Sequence, residues 1–308
     1  MGDFRPPAEL SAAPSMARRS PIDSLLAARI SALDAAVPAA LSGEPTAVHQ
    51  ARVASRRLRE VVPILEPHAP SAERAGAAVR RVTRALGPVR ELDVTTALYA
   101  ERTRTSPGHP LAQAAVRGAL ARARATAIRV MRHTLSPAQR TKRRLALEAL
   151  AADADGVGVA DVAATVEGRV AQRARRVVRA LDGLGVLYAP ERLHAVRIAV
   201  KQLRYALEVR GRLRRVPTAA ALRHLRTVQE TLGRAHDLHV LSEHLRQVEA
   251  RIVTRSRPAA RDLRRMARDI DDTCRQLHAA FLGRRAALRA LAVALLSPVA
   301  PARRRSAA

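Results

Sequence analysis

Apolar residues recur every three or four positions along most of the chain, with polar or charged residues between them. This spacing is typical of amphipathic α-helices that bury one face. The segments are rich in Ala, Leu and Arg, which favour helices, and no run of alternating β-branched residues predicts a strand. The pattern therefore predicts an all-α protein. The predicted helices cover residues 22–40, 46–66, 71–87, 90–104, 109–134, 137–152, 160–182, 190–210, 217–233, 235–255, 258–283 and 284–296.

One pattern within these helices occurs twice. The segment VHQARVASRRLRE, residues 48–60, aligns with LHAVRIAVKQLRY, residues 193–205, at an offset of 145 residues. In both copies a histidine is followed by cations at the third, seventh and tenth positions after it. The aligned pairs are His49 with His194, Arg52 with Arg197, Arg56 with Lys201, and Arg59 with Arg204.

On a helix these four positions fall within an arc of roughly 80° and extend roughly 15 Å along the axis. We call the set in residues 48–60 the first ridge and the set in residues 193–205 the second ridge. Cations spaced at i, i+4 repel one another and weaken the helix, so the ridges predict a bound anion. Apolar residues occupy the opposite faces of the two helices: Ala51, Leu58, Val61, Val62, Leu65, Val196, Val200, Leu203 and Leu207.

A second pair of similar segments follows the ridges. Residues 79–94, VRRVTRALGPVRELDV, resemble residues 225–240, LRTVQETLGRAHDLHV, at an offset of 146 residues. Gly commonly ends helices, and acidic residues favour the first turn of the next helix. The expected C-caps are Gly87 and Gly233, and the expected first-turn residues are Glu91 and Asp237.

Two elements that recur in the same order at the same separation indicate an internal duplication. We expect two four-helix-type bundles related by pseudo-two-fold symmetry, with a basic central groove or pore. The Gly- and Asp-containing segment 152–161 would connect a first half of about residues 21–152 to a second half of about residues 160–297. We expect residues 1–20 to be a disordered tail and residues 298–308 to be a basic tail.

The charge of the chain predicts a polyanionic partner. Lys and Arg number 55 against 27 Asp and Glu, and the formal net charge is +28. Nucleic acid, an anionic membrane or a phosphate polymer would suit that field. Aromatic residues make up only 2%, which disfavours single-stranded nucleic acids and most RNA-binding modules, because these stack bases on aromatic rings. Duplex DNA stays open, since phosphate contacts alone can bind it.

The sequence also predicts a cytoplasmic location. Cys274 is the one cysteine, so no intrachain disulfide can form and a reducing compartment is the simplest interpretation. The first 20 residues lack the apolar run of a signal peptide, and no stretch approaches 18 uninterrupted apolar residues. We therefore expect no membrane insertion.

The ridges carry the chemistry of anion binding. If the two halves face each other, both ridges would line one groove, where guanidinium groups can bind phosphate oxygens bidentately. An imidazole beside cations resists protonation unless an anion reverses the balance, so binding should strengthen as the pH falls through the histidine range. Arg80 and Arg226 would extend the wall. Tyr205, at the edge of the second ridge, either packs or contacts a phosphate.

The segment HDLH, residues 236–239, resembles the His-Asp pairs of metal-dependent phosphohydrolases. However, His236 aligns with Arg90 and His239 with Asp93, so the first half has no such cluster. The chain has no Gly-rich phosphate loop of the Walker type. We therefore expect no catalytic residues, no metal site and no cofactor.

These repeated motifs resemble those of CHAD domains (conserved histidine α-helical domains). The patterns are HxxRVxxRRLR and HxxRIxxKxLRYxLE, each followed by LGxxRELDV or LGxxHDLHV, and they indicate one domain over residues 21–297. The resemblance implies two four-helix bundles and a basic central surface or pore that binds inorganic polyphosphate. Several such domains associate with polyphosphate granules. The residues implied to contact the polymer are His49, Arg52, Arg56, Arg57, Arg59, Arg80, His194, Arg197, Lys201, Arg204 and Arg226.

The chain departs from the family pattern at two positions. Gln202 stands where a second basic residue often follows the Lys, and Glu91 replaces the usual Asp. The family domain often follows a triphosphate tunnel domain with an ExExK signature. The 20 N-terminal residues contain no such signature, so the hydrolase chemistry of that domain is not implied.

The sequence therefore predicts a non-enzymatic protein that binds inorganic polyphosphate, as an adaptor or on polyphosphate granules. The alternative is a duplex DNA or nucleoid-binding protein, because the positive charge alone would attract DNA. A metal-dependent phosphohydrolase is the third hypothesis. The sequence indicates no particular protein partner.

Overall fold

The computed structural model describes residues 20–296, and all regular secondary structure in this range is α-helical. This confirms the predicted all-α fold. The predicted tails lie outside the described residues, apart from residue 20. The nine helices in this range are α1 (Pro21–Ser42), α2 (Pro45–Leu65), α3 (Ala72–Thr105), α4 (Pro110–Thr134), α5 (Pro137–Asp153), α6 (Val159–Asp182), α7 (Pro190–Arg214), α8 (Ala219–Ile252) and α9 (Arg257–Ala294).

The local sequence explains where several helices begin. Pro21, Pro110 and Pro137 are each the first residue of a helix, where the missing N–H is not needed. At the start of α1 the Ser20 hydroxyl accepts a hydrogen bond from the Asp23 N–H at 3.2 Å. The Asp23 carboxylate accepts one from the Ser20 N–H at 3.1 Å, which completes a capping box.

Helices α3, α8 and α9 are continuous where the sequence predicted two helices each, so the predicted breaks are wrong. Gly87 and Gly233 lie inside helices and are not C-caps. In a helix interior Gly costs about 1 kcal/mol relative to Ala, and Pro about 3 kcal/mol. Buried Leu86 and Val89 continue the apolar stripe of α3 past Gly87 and Pro88. Packing of this stripe outweighs both penalties.

The hydrophobic core is divided into three clusters. The first lies mainly between α1, α2, α5 and the N-terminal half of α3. The second joins the C-terminal halves of α3 and α8 to α4 and the N-terminal half of α9. The third lies between α6, α7, the N-terminal half of α8 and the C-terminal half of α9. Because the second cluster takes helices from both halves of the sequence, the core is not divided into two separate bundles.

The apolar faces predicted opposite the two ridges are buried, which confirms how α2 and α7 are oriented. Each helix packs its apolar face into its own core cluster and turns its ridge away from that cluster. The nine buried residues are Ala51, Leu58, Val61, Val62, Leu65, Val196, Val200, Leu203 and Leu207.

Helix α1 has the length of a membrane-spanning helix and a mean hydropathy of 1.4 over 18 residues. Among the helices of residues 20–296 it alone meets these two criteria. In the structure its buried side chains, including Ile22, Leu26 and Leu33, belong to the first core cluster. A core helix meets the same criteria, so composition alone assigns α1 no membrane role.

Candidate functional site

Helices α2 and α7 pack against each other and present both ridges to one cavity of about 750 Å³, which we call the central cavity. Helices α3 and α8 complete its wall. The lining residues are His49, Arg52, Val53, Arg56 and Arg57 from α2; Gly87, Arg90, Glu91 and Val94 from α3; His194, Arg197, Ile198, Lys201, Arg204 and Tyr205 from α7; and Gln229, His236 and Asp237 from α8.

Most of the predicted binding residues come together in this wall. The eight that line the central cavity are His49, Arg52, Arg56, Arg57, His194, Arg197, Lys201 and Arg204. The other three, Arg59, Arg80 and Arg226, are exposed on α2, α3 and α8 and do not belong to the wall. The first ridge therefore reaches the cavity with three of its four members, and the second ridge with all four.

Arg59 and Arg80 continue the positive charge from the cavity onto the surface. Partial burial lowers the pKa of Arg59, although Glu60 opposes this effect. The nearby charges of Arg56, Arg80 and Arg84 lower the pKa further. Because Arg56 lines the central cavity, these four arginines form a cluster that leads from the cavity to the outside.

Helices α3 and α8 supply wall residues that the sequence pattern placed at helix starts. Glu91 and Asp237 lie in the middle of continuous helices and line the central cavity. Arg90 and His236, which the alignment pairs with each other, also line it. Each of the four lies three or four residues after the Gly of the repeat, so on an unbroken helix it shares the face of that Gly. This spacing from the Gly could have predicted that these four residues line the site.

Gly87 allows the first ridge to approach α3 closely. The Nη1 atom of Arg52 donates a hydrogen bond to the Thr83 carbonyl oxygen at 3.1 Å. A Cβ atom at position 87 would lie 3.1 Å from the same nitrogen, closer than ordinary van der Waals contact. Burial lowers the pKa of Arg52 to about 10, with contributions from Arg56 and Arg197. Gly87 therefore serves close packing of a guanidinium group and not helix termination.

Arg204 of the second ridge is held by three neighbours. Its Nε atom donates a hydrogen bond to Gln229 Oε1 at 2.8 Å, and its Nη1 atom pairs with the Glu208 carboxylate. Its Cζ atom lies 4.3 Å from the centroid of the Tyr205 ring, at a distance suited to a cation–π interaction. Glu208 also lies 3.7 Å from Arg57 Nε. Tyr205 is buried beneath this group, yet it forms part of the cavity wall.

Cations outnumber carboxylates in the central cavity. Seven of its lining residues are Arg or Lys, and two are Glu or Asp. Burial, together with the charges of Arg197, Arg56 and Arg52, lowers the pKa of Lys201 to about 6. Asp237 opposes this shift but does not cancel it. The cavity therefore disfavours its own positive charge, and an anion bound there would relieve the repulsion.

The surroundings of the histidines in the cavity favour the neutral imidazole. Burial lowers the pKa of His49 and of His194, and neighbouring cations lower both further. Burial and the charge of Arg197 lower the pKa of His236 to about 3. The Nδ1 atoms of His194 and His236 lie 3.1 Å apart, so one ring donates the shared hydrogen bond and the other accepts it. A neutral imidazole can still donate one hydrogen bond to a phosphate oxygen.

Within residues 20–296, no group of three or more His, Cys, Asp or Glu side chains is placed to hold a metal ion. In the HDLH segment His236 faces the central cavity, whereas His239 does not line it. The chemistry that the arrangement offers is hydrogen bonding and charge pairing to an anion from several directions.

Solved structures that share this fold include the crystal structure of the CHAD domain from the plant Ricinus communis. It is 19% identical, with a TM-score of 0.59, and the alignment covers 97% of this chain and 99% of that chain. PptA from Streptomyces chartreusis is 15% identical with a TM-score of 0.55, covering 89% and 97% of the two chains. At these identities the likeness shows the fold. No curated protein matches this sequence.

The sequence matches the CHAD domain family over residues 24–246, which is more than half of the chain. The matched range contains both ridges, both Leu-Gly segments and every residue of the central cavity wall. The chain therefore belongs to the CHAD domain family.

Proposed function

We propose that this protein binds inorganic polyphosphate in the central cavity and does not catalyse its turnover. The observation that carries the proposal is the charge of the wall, where seven cations face two carboxylates. Guanidinium groups bind phosphate oxygens in pairs. A linear phosphate chain carries negative charge at every repeat unit, so one chain would meet the cations of both ridges.

The shape of the site favours a thin polyanion over nucleic acid. The central cavity has a volume of about 750 Å³, which is too small to hold a segment of duplex DNA. Tyr205 is the one Tyr, Phe or Trp side chain in the described wall, and Arg204 lies over its ring. Single-stranded nucleic acids would therefore find no open aromatic face on which to stack their bases. Polyphosphate has no bases and needs none.

We also propose that the two ridges descend from an internal duplication and form one site. The ridges are 145 residues apart in sequence, yet they lie on helices that contact each other and line the same cavity. The helices that follow them, α3 and α8, are both 34 residues long and carry the second pair of similar segments. A pseudo-two-fold axis between α2 and α7 would account for both features.

The biological role we propose is that of an adaptor or a granule-associated protein in the cytoplasm. Binding without hydrolysis suits a wall rich in guanidinium groups with neutral histidines. A phosphohydrolase of the His-Asp type would need a cluster of metal ligands, and residues 20–296 provide no such cluster. Phosphate release from polyphosphate that depends on His236 and a divalent metal would overturn the non-enzymatic proposal.

A second candidate is binding to duplex DNA. The net charge of +28 favours it, as do exposed arginines such as Arg59, Arg80 and Arg226. DNA would contact the outer surface and not the central cavity. In a competition assay at equal phosphate concentration, we expect long-chain polyphosphate to displace DNA. Displacement of polyphosphate by DNA would favour the second candidate.

A calorimetric titration with polyphosphate of defined length tests the proposal. The double variant Arg52→Glu/Arg197→Glu should weaken binding by roughly 100-fold or more, because each charge-assisted contact contributes about 1.5–3 kcal/mol. In the wild type the logarithm of the affinity should fall with the logarithm of salt concentration, by about 0.7 for each neutralised phosphate.

The matched control is Arg175→Glu/Arg268→Glu, which changes the net charge equally at exposed positions on α6 and α9. We expect it to change the affinity by less than about threefold, because exposed charges outside the site are screened. Equal losses in the two double variants would indicate a diffuse basic surface and contradict binding in the central cavity.

A further inference from the structure

A second cavity adjoins the central cavity on the side of α1. It has a volume of about 400 Å³ and lies between α1 and α2. The two cavities share His49, Val53 and Arg57 in their walls. The second cavity therefore meets the central cavity along the exposed side of the first ridge helix. We call it the α1 flank.

Arg29 of α1 brings a cation to this flank that no sequence motif indicated. Its Nε atom is buried and has no hydrogen-bond partner within residues 20–296. Burial lowers the pKa of Arg29, and the nearby charges of Arg57 and Arg212 lower it further. Glu208 is the carboxylate that opposes this shift, but it also pairs with Arg204. Arg29, Arg57 and Arg204 thus share the single carboxylate of Glu208.

The flank on the side of α6 has the opposite character. At the offset of 145 residues, Gln202 stands where the α1 flank has Arg57. The Gln202 side-chain oxygen accepts hydrogen bonds from Arg173 at 3.1 Å and from Arg176 at 3.3 Å. Arg173 also donates to Glu60 at 2.9 Å, and Glu60 is 5% exposed. Arg173 and Arg176 are therefore held by side chains of the protein itself.

We propose that a polyanion longer than the central cavity leaves it by the α1 flank, where Arg29 and Arg212 bind further phosphates. This inference rests on the proposed function and adds the side of the cavity on which a long chain leaves. On the α6 side, Arg173 is already paired with Glu60, and Gln202 offers no charge. On the α1 side, Arg29, whose Nε atom has no hydrogen-bond partner within residues 20–296, and the exposed Arg212 offer the charge that continuing phosphates require.

The test compares chain lengths. We expect Arg29→Gln/Arg212→Gln to weaken binding of long-chain polyphosphate by about tenfold and to reduce its salt slope by about one unit per lost phosphate contact. Tripolyphosphate is short enough to bind within the central cavity without reaching the α1 flank. Its binding should therefore change by less than about twofold. Arg29→Lys, which keeps the charge, should retain most of the long-chain affinity.

The matched control is Arg175→Gln/Arg179→Gln, which removes two exposed charges from α6. If this control loses as much long-chain affinity as the α1-flank variant, or if neither variant loses any, the inference is overturned. Arg212→Gln alone, at an exposed position, provides the same comparison if loss of Arg29 unfolds the protein.

Failure of the proposed function is distinguishable from failure of this inference. Suppose that Arg52→Glu/Arg197→Glu loses affinity and the α1-flank variant binds like its control. Binding in the central cavity would then be supported, and only the exit past Arg29 would be overturned. An unchanged affinity in the central charge reversal would overturn both.

Discussion

Lys201 shows most clearly how the crowded cations of the cavity affect a single residue. The chain has two lysines, Lys142 and Lys201, and all its other basic side chains apart from histidine are arginine. Arginine keeps its proton in proteins, whereas lysine gives it up when it is buried among cations. With a pKa of about 6 in the protein alone, Lys201 is mostly neutral at pH 7. A lysine at this position therefore lets the cavity reduce its charge until an anion arrives.

Polyphosphate binding should accordingly take up a proton at Lys201. The anion favours the ammonium form and raises the pKa of Lys201, so the contribution of Lys201 to the affinity should be flat below about pH 6 and fall as the pH rises above it. Calorimetry at pH 7 in buffers of different ionisation enthalpy should report uptake of about one proton by Lys201 per site.

The matched variant for this prediction is Lys201→Arg, which keeps the cation but cannot lose its proton. It should still bind polyphosphate, and it should lose the share of the proton uptake that belongs to Lys201. The histidines of the cavity are common to both proteins, so the difference isolates the lysine. Equal proton uptake in the two proteins would show that Lys201 does not change its protonation state on binding.

At the scale of the helices, the two ridges could be predicted from the sequence. The helices that surround them could not. Helical periodicity places His49 and Arg52 on one face whatever surrounds them, and the structure brings both to the cavity wall. The predicted break at Gly87 was wrong because a local helix-ending preference is weaker than packing of the apolar stripe on both sides. That single error removed Glu91 from the predicted site, since a residue at a helix start would not face the cavity.

Contacts between helices explain the rest of what the sequence could not show. Arg29 lies on α1, outside every repeated motif, and reaches the site only because α1 packs beside α2. Gln202 stands where the family pattern often has a basic residue, and it accepts hydrogen bonds from two arginines of α6. Such pairings depend on which helices become neighbours, and one sequence alone does not reveal that.

The contact between α2 and α6 depends on a buried carboxylate. Glu60 accepts hydrogen bonds from Arg169 and Arg173, each with a shortest distance of 2.9 Å. Glu60→Gln would leave these two guanidinium groups without their counter-charge, so we expect the free energy of unfolding to fall by about 3 kcal/mol. Urea denaturation, monitored by circular dichroism, measures this change.

An exposed ion pair provides the control for this prediction. Glu101 pairs with Arg234 at 3.3 Å, with both side chains about half exposed. Glu101→Gln should lower the free energy of unfolding by less than about 1 kcal/mol, because surface pairs are weak. Similar losses in the two variants would contradict a structural role for the buried pair.

For the whole molecule, the distribution of charge matters more than its total. A net charge of +28 would attract any polyanion to the surface. The fold adds a cavity between α2 and α7 in which cations of both halves face one another. Helix α2 packs into the first core cluster, and α7 packs mainly into the third. We therefore propose that specific binding depends on the cavity, while the surface charge supplies attraction at a distance.

The measurement that tests this account most directly is an NMR titration of the two lysines, labelled with ¹³C at the ε carbon. Lys201 lies in the central cavity, and Lys142 is exposed on α5 and provides an internal reference. In the free protein the Lys201 signal should titrate with a midpoint near pH 6. Saturating polyphosphate should raise that midpoint by about two units or more, and the Lys142 signal should stay in place. If polyphosphate binds and the Lys201 titration does not move, the polymer lies outside the central cavity and the account is wrong.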